Sequence, residues 1–266
     1  MTREAERRRF LRDAGLLIAA MHAGGWAAAP QASTAGAAQR PVEFLRLRLG
    51  ARRPAELHEF YSHVLELPVK AEAGGAVSVR AGSTELLFVP HEGGENPFYH
   101  FAFNIPENKF EASMDWLKGR AELIPHPSTG RQIFDYPRWN AKSVYFYDPA
   151  GNILELIARH NLRNAAGGTF DSRDFLYASE IGMVVPEVGA AIAQLKSKLG
   201  IADYIGVSER FAPIGNEHGL FIVVHKDRRW FDRIPPGIFP AEVRMRGGVA
   251  GQYSVPEGSL QIEVVE

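Results

Sequence analysis

The chain has 266 residues, of which 45% are hydrophobic and 23% are charged, and its formal net charge at pH 7 is −1. This balance is typical of a globular protein of one large or two small domains, and it gives no electrostatic support for binding nucleic acid or a membrane surface. Cysteine is absent from the sequence, which excludes disulfides, thiolate metal sites, cysteine nucleophiles and a lipid anchor on an N-terminal cysteine.

Residues 1–37 predict an export signal that precedes the folded part. A basic start is followed by a weakly apolar run rich in alanine, glycine and leucine, and then by small residues, which is the order found in signal peptides. The run "RRRFLR" at 7–12 resembles a twin-arginine signal, with Glu6 where that pattern prefers Ser or Thr. A cleavage site is predicted at Ala35-Gly36-Ala37. The resemblance implies a periplasmic or secreted protein; the alternative is a basic tail.

A unit of strand, helix and further strands is predicted to begin the mature chain. The segment "VEFLRLRL" at 42–49 alternates like a strand. A helix is predicted next, because the apolar residues that follow are spaced to share one helical face: Leu57, Phe60, Tyr61, Val64 and Leu65. Two short strands, "AVSVRAG" and "TELLFVPH", complete this first unit.

The same order of elements is predicted to start again at "FYHFAFNIP" (98–106). Phe110, Met114 and Leu117 have helical spacing, and the strand candidates "RQIFDY" and "SVYFYDPAGNILELIAR" complete the second unit. Together the two units predict a paired-module domain at 41–162. The polar segment that follows, at 163–175, is rich in loop-forming residues and is interpreted as a linker.

A third unit is predicted from "ASEIGMVVPEV", followed by a helix with Ile192, Leu195 and Leu199 on one face. Its segment "GLFIVVHKD" parallels "ELLFVPHEG" of the first unit. The remaining segment predicts two or three strands and resembles a truncated fourth unit, so residues 176–266 hold the third and fourth units. The predicted fold class is α+β, with repeated βαβββ modules forming curved mixed sheets around a cup.

Two segments resemble the vicinal oxygen chelate superfamily, which includes glyoxalase I, fosfomycin and bleomycin resistance proteins, and extradiol ring-cleaving dioxygenases. "VYFYDPAGNILELIAR" carries most of the resemblance, and "LHEFYSHVLELPV" supports it. Part of the ring-cleaving signature is met by Val144, Tyr145, Asp148, Pro149, Gly151 and Glu155. The upstream histidine of that signature is missing, because Tyr136, Pro137 and Arg138 stand in its place.

Glu155 is a lone acid in an otherwise apolar strand, where burial favours the neutral form unless a cation or hydrogen bonds compensate its charge. The resemblance implies that Glu155 and His100 are metal ligands. The alternatives are a salt bridge between Glu155 and Arg159, or an arginine of the first strand, and a hydrogen-bonded core role for His100. Asp148 is interpreted as a turn residue.

A third ligand is expected on the first strand of unit one, but Phe44, Leu45 and Arg46 are not ligands. Arg46 is instead a candidate for binding an anionic substrate. Glu85 and Glu180 are the candidate replacements, with Glu85 ranked slightly ahead; Glu43 would need a shifted strand register.

The favoured function is a metal-dependent enzyme acting on a small oxygenated or aromatic compound, with dioxygenase-like ring cleavage preferred over glyoxalase-like isomerisation. Tyr145 or Tyr136 would donate a hydrogen bond to the bound substrate. Iron(II) or manganese(II) is favoured, with zinc(II) or nickel(II) as alternatives. The expected partner is a small molecule, and the expected assembly is a monomer or homodimer. The alternatives are a metal-free binding protein using the same cup, and a purely structural role for units three and four.

Overall fold

The computed structural model describes residues 41–255 and 260–266, so the predicted signal at 1–37 lies outside them. The described part contains fourteen strands in two seven-stranded sheets, together with three α-helices. This arrangement confirms the predicted α+β class with curved mixed sheets. Among the described residues, no helix has the length and apolar character needed to cross a membrane.

The strands follow the unit order read from the sequence. In chain order they are β1 (Glu43–Ala51), β2 (Val69–Ala71), β3 (Val77–Ala81), β4 (Thr84–Pro90), β5 (His100–Ile105), β6 (Phe134–Tyr136), β7 (Ala141–Tyr147), β8 (Ile153–Arg159), β9 (Tyr177–Val185), β10 (Phe211–Asn216), β11 (Gly219–His225), β12 (Ala241–Arg246), β13 (Gly251–Ser254) and β14 (Leu260–Val264).

Three short helices cross between the first and second strands of units one to three. They are α1 (Pro54–Glu59), continued by a π-helical turn at Phe60–Val64; α2 (Phe110–Leu117); and α3 (Val188–Gln194), continued by a π-helical turn at Leu195–Leu199. Single 3₁₀ turns lie at Ala73–Gly75, Pro137–Trp139 and Ser172–Asp174. Pro54 opens α1, where its missing N–H costs no helical hydrogen bond.

The sheets combine the units differently from the prediction that units one and two pair. The first sheet has the order β13-β14-β12-β1-β4-β3-β2, and the second has the order β10-β11-β9-β5-β8-β7-β6. Units one and four therefore share the first sheet, and units two and three share the second. The central pairs, β1 with β12 and β5 with β9, are antiparallel. Every unit begins with a strand that can pair with the first strand of another unit. The sequence alone therefore does not decide which two first strands pair.

Strand alternation divides each sheet into an inner and an outer face. Inner residues of both sheets, such as Leu47, Phe88, Phe101 and Leu154, join the helices in one continuous core. The outer face of the second sheet has its own apolar cluster, which includes Tyr145. Because this outer face is covered, a polar group on it is buried and needs a hydrogen-bonding or charged partner.

The turn before β8 confirms the structural interpretation of Asp148. Its carboxylate accepts hydrogen bonds from the backbone of Ala150 and Asn152 and from the hydroxyl of Tyr61 on the turn after α1. Gly151 supplies the positive φ of 81° that the turn requires. Burial raises the pKa of Asp148 to about 6, although these hydrogen bonds oppose the rise. The turn fixes where β8 begins and hence the register of Glu155.

Candidate metal centre

One row of paired residues crosses the outer face of the second sheet. Tyr145 on β7 pairs with Glu155 on β8, and Glu155 pairs with Ala102 on β5. On its other side Ala102 pairs with Glu180 on β9, which pairs with Leu220 on β11. Directly paired residues point to the same face, so the two carboxylates flank the small methyl group of Ala102. A bulge in β9 next to Glu180 interrupts the ladder there.

His100 stands two residues before Ala102 on β5 and therefore shares its face. The Nδ1–H of His100 donates to the carbonyl of Ile153 at 3.0 Å, which leaves the lone pair on Nε2. Nε2 lies 3.6 Å from Oε2 of Glu155 and 3.6 Å from Oε2 of Glu180. These separations are too long for hydrogen bonds. All three ligand-type atoms lie within 4.8 Å of one another.

The three side chains are closed off from solvent, with exposed fractions of 4% for His100, 1% for Glu155 and 2% for Glu180. Burial raises the pKa of Glu155 to about 7, and repulsion from Glu180 adds to that rise. Burial alone would lower the pKa of His100, but the two carboxylates outweigh it and raise that pKa. The two buried carboxylates of this cluster therefore repel each other, which disfavours the state in which both are ionised.

The donor set fits a divalent cation. Oε2 of Glu155 is buried and has no hydrogen-bond partner among the described residues, although buried carboxylate oxygens are normally satisfied. Two ligands at about 2.1 Å from a tetrahedral ion are about 3.4 Å apart, close to the 3.6 Å found between Nε2 and each carboxylate. A cation between these atoms would complete the coordination of Glu155 and balance its charge.

Arg159 supports the centre from behind. It is the last residue of β8 and is fully buried, and its Nη2 donates to Oε1 of Glu180. Its Nε donates to Oδ1 of Asn104 at 3.1 Å. Arg159 thus pairs with Glu180 and not with Glu155, contrary to the salt bridge considered from the sequence. One oxygen of Glu180 is held by this guanidinium, and the other faces His100.

Internal symmetry identifies a fourth ligand position and what occupies it. Phe101 on β5 pairs with Ile181 on the antiparallel β9, so a two-fold axis at this pair relates His100 to Glu180. On β8, Glu155 lies two residues after the strand partner of His100. The same two-fold axis relates Glu155 to Ile222 on β11. Ile222 is buried and apolar. Three of the four related positions therefore carry ligand-type side chains.

Glu85 and Arg46 lie on the first sheet, away from the three clustered ligands, so Glu180 takes the place for which Glu85 was ranked first. Arg46 pairs with Glu85 in the strand ladder, and its Nε donates to Glu85 Oε2 at 2.6 Å. Burial would raise the pKa of Glu85, but the hydrogen bonds from Ser78 and Arg46 outweigh it and lower the pKa. The guanidinium already supplies the counter-charge that a metal would provide. Arg46 is likewise not placed to bind a substrate at this centre.

Tyr136 and Tyr145 form the polar edge of the outer face. Their hydroxyls are 2.8 Å apart and hydrogen-bonded, and the ring of Tyr145 lies 6.1 Å from that of His100. Burial, followed by the charge of Glu155, raises the pKa of both phenols, so both are neutral donors near pH 7. Tyr145 stands in the same row as Glu155, which places its side chain beside the centre.

A covering segment at 226–240 closes the outer face. Trp230 lies over His100 with ring centroids 5.0 Å apart, and Phe231 packs against Tyr145. A cavity of about 20 Å³, room for about one water molecule, lies between Trp230, His100 and Phe239. Gly182 keeps this space open, because an added Cβ there would stand 3.2 Å from the Cβ of His100.

Sequence reasoning missed two residues of this centre. Arg159 was considered only as a partner of Glu155, although the alternation from Ile153 to Arg159 already put both on one face. Asn104 follows His100 at the same alternation but carries no motif. Unit three contributes Glu180 to the cluster, so a functional role for this unit is favoured over the purely structural alternative.

Comparison with known proteins supports the fold. A scan against protein families finds no match, and a search of curated proteins finds none either. Among solved structures, a candidate dioxygenase of Bacillus subtilis has a TM-score of 0.56 and 13% identity, covering 85% of this chain and 86% of that chain. A glyoxalase I mutant of Zea mays has a TM-score of 0.46 and 12% identity, covering 85% of this chain and 92% of that chain.

A lactoylglutathione lyase of Agrobacterium tumefaciens is 23% identical over 44% of this chain and 94% of its own, with a TM-score of 0.34. Glyoxalase I and dioxygenases are members of the superfamily that the sequence resembles, and the match with a TM-score of 0.56 confirms the expected fold. At 13% identity the activity has to be argued from the centre itself.

Proposed function

We propose that this chain is a metal-dependent enzyme that holds a divalent cation between His100, Glu155 and Glu180 and acts on a small oxygen-containing compound. The observation that carries the proposal is the buried Oε2 of Glu155, which lacks a hydrogen-bond partner in the described part of the chain and faces Nε2 of His100 at 3.6 Å. One imidazole and two carboxylates suit iron(II) or manganese(II), with zinc(II) or nickel(II) as alternatives.

The cation would supply Lewis acidity and open coordination positions for two adjacent oxygens of a substrate. The protein's own groups would do the rest. His100 is held in one tautomer by the carbonyl of Ile153, and Glu180 is oriented by Arg159. Tyr145, neutral and hydrogen-bonded to Tyr136, is placed to donate to an oxygen bound beside Glu155. The apolar residues of the outer face, including Ile222 and Trp230, would exclude water.

Among reactions, dioxygenase-like ring cleavage is preferred, because three protein ligands leave room for a chelating substrate and a second small ligand. Glyoxalase-like isomerisation is the second candidate, since it needs a base and the centre offers two carboxylates, Glu155 and Glu180. The similarity to glyoxalases and to a candidate dioxygenase is compatible with either.

Non-catalytic binding of a small molecule is a further candidate, favoured by one observation. A protonated His100 lies 3.6 Å from both carboxylates, and Arg159 is paired with Glu180, so these two groups can balance the carboxylates without a metal. In that case the cup would serve for sequestration, and replacing His100 would leave ligand binding unchanged. We also propose export of the chain from the cytoplasm, on the sequence pattern at 7–12 alone.

Metal analysis of the purified full-length protein tests the proposal. We expect about one equivalent of iron, manganese or zinc per chain. His100→Ala and Glu155→Gln should each lower the metal affinity by more than the roughly 10–100-fold that is typical when a residue contacting a ligand is replaced. The matched control is Glu85→Gln, which removes an acid in a comparable strand row of the first sheet and should leave the metal content unchanged. A protein that takes up no metal after reconstitution contradicts the enzyme and favours the binder.

A further inference from the structure

We infer that Arg159 sets the charge of the metal centre, so that the centre with its divalent cation bound takes up one singly charged anionic ligand. The inference rests on the proposed function, because it concerns the ligand that joins the cation held by His100, Glu155 and Glu180. It assigns Arg159 as a positioning residue, since it acts through Glu180.

The contacts of Arg159 show that its charge belongs to the centre. The side chain is fully buried, and a guanidinium carries a permanent positive charge. Nη2 is bound to Glu180, Nε is bound to Asn104, and Cζ lies 5.4 Å from the ring centre of Trp139. Nη1 is buried without a hydrogen-bond partner among the described residues, so the pair with Glu180 does not satisfy the whole group.

Charge balance in a buried site then restricts the ligand. The carboxylates of Glu155 and Glu180 match the charge of a divalent cation, and the guanidinium of Arg159 adds one positive charge. Among the described residues, no carboxylate other than that of Glu180 forms an ion pair with it. Further out, Arg228 and Asp232 of the covering segment carry opposite charges. The carboxylate of Glu217 is only half-buried and is bound by Tyr204 and Asn161, so solvent weakens its effect on the buried guanidinium. An uncompensated charge inside a protein is costly, so a ligand with one negative charge is favoured over a neutral one.

The same reasoning explains how a second carboxylate is tolerated in the centre. A cation held by two imidazoles and one carboxylate also keeps one excess positive charge. Here Glu180 occupies the position that the two-fold axis relates to His100, and its negative charge would cancel the excess positive charge. The guanidinium of Arg159 restores that excess. Glu180 and Arg159 therefore act together as a neutral pair that still presents one carboxylate oxygen to His100.

The experiment uses the full-length protein loaded with cobalt(II), titrated with azide, and monitored through the visible absorption of the cobalt. We expect the wild-type protein and Arg159→Lys to bind one azide per cobalt. Arg159→Met should bind azide about tenfold more weakly, a loss of about 1.4 kcal/mol, because the positive charge that attracts the anion is removed. Arg46→Met, which removes the arginine beside Glu85, is the matched control and should leave azide binding unchanged.

A second readout is the rise in melting temperature that cobalt causes. Arg159→Met leaves two buried carboxylates without a permanent counter-charge, so we expect a larger rise than in the wild type. Equal azide affinity and an equal rise in both proteins would overturn the inference. So would failure of both Arg159→Met and Arg159→Gln to fold even with cobalt present, because Arg159 would then be purely structural. Absence of cobalt from the wild-type protein would instead refute the proposed function.

Discussion

Glu155 and Glu180 flank Ala102 from opposite sides of one strand, and each turns a carboxylate oxygen to within 3.6 Å of Nε2 of His100. The arrangement brings two like charges together in a place that water does not reach. Arg159 offsets one of the two charges, so ionisation of the second is unfavourable unless another positive charge enters the site. The stability of the metal-free protein should therefore depend on pH and on added metal.

The free energy of unfolding of the metal-free protein should fall as the pH rises from about 4.5 to about 7. The pKa of Glu155 is raised to about 7 in the folded state by burial and by Glu180, so the folded state binds more protons than the unfolded state over this interval. The raised pKa of His100 acts in the same direction. The fall from Glu155 should be at most about 3 kcal/mol.

Urea unfolding at pH 5, 6, 7 and 8 in the presence of a chelator measures this dependence. Glu155→Gln should flatten the profile, because the neutral amide does not titrate. Manganese(II) should stabilise the wild-type protein more at pH 8 than at pH 5, since protons compete with the metal for the same ligands. A wild-type profile that rises across this interval would show that Glu155 is ionised in the folded state.

Ile222→His should create a fourth ligand, because Ile222 occupies the position that the two-fold axis relates to Glu155. Without metal the buried imidazole should lower the free energy of unfolding by about 1–3 kcal/mol. With zinc(II) the affinity should exceed that of the wild-type protein, as read by competition with a chromophoric chelator. Ile157→His places the same imidazole on the same face of β8, outside the symmetric position, and should give no gain. Equal affinities for all three proteins would contradict the symmetry argument.

Trp230→Ala should speed the entry of metal, because Trp230 covers His100 with ring centroids 5.0 Å apart. The loss of a large buried ring should also cost about 3–5 kcal/mol of stability. Trp116→Ala is the matched control, since Trp116 packs against Phe170 and Phe175 away from the centre. Stopped-flow measurement of cobalt(II) uptake separates the two effects: faster uptake in both variants would point to general loosening of the protein.

Replacing Arg7 and Arg8 by Lys should abolish export through the twin-arginine route, because that route reads the arginine pair directly. Cell fractionation of a bacterial host expressing the full chain measures the result. The control is Arg3→Lys, which changes the same kind of residue outside the run at 7–12. Unchanged export of the paired variant would leave the segment as a basic tail or as a signal of another type.

Much of the fold could be predicted because each unit repeats local signals: an alternating strand, a helix with one apolar face, and paired short strands. The face shared by His100 and Glu155 also follows from local information, since each belongs to a strand whose direction and register are set by nearby turns. Pairing between units is different. It depends on contacts between strands such as β1 and β12, which are almost 200 residues apart in the chain and carry no complementary motif.

For the same reason the sequence could not show that Glu180, and not the higher-ranked Glu85, lies with His100 and Glu155. Sequence similarity correctly aligned "ELL" of β4 with "ELI" of β8, but it could not show that Arg46 would lie directly beside Glu85. Arg159 was missed as a partner of Glu180 because the two residues are on strands separated by β5, and only a long side chain spans that distance.

The first sheet carries a charged row where the second sheet carries the candidate metal centre. This row crosses the sheet through residues that pair on neighbouring strands, in the order Arg80, Glu85, Arg46, Arg244, Glu263 and Gln252. Glu85 and Glu263 each form a salt bridge with an arginine. A guanidinium is covalently tethered and cannot be removed by a chelator. If the candidate centre holds a metal as proposed, the two halves of this duplicated architecture differ in what they need from their surroundings: the first sheet supplies its own counter-charges, and the second requires trace elements where the protein resides.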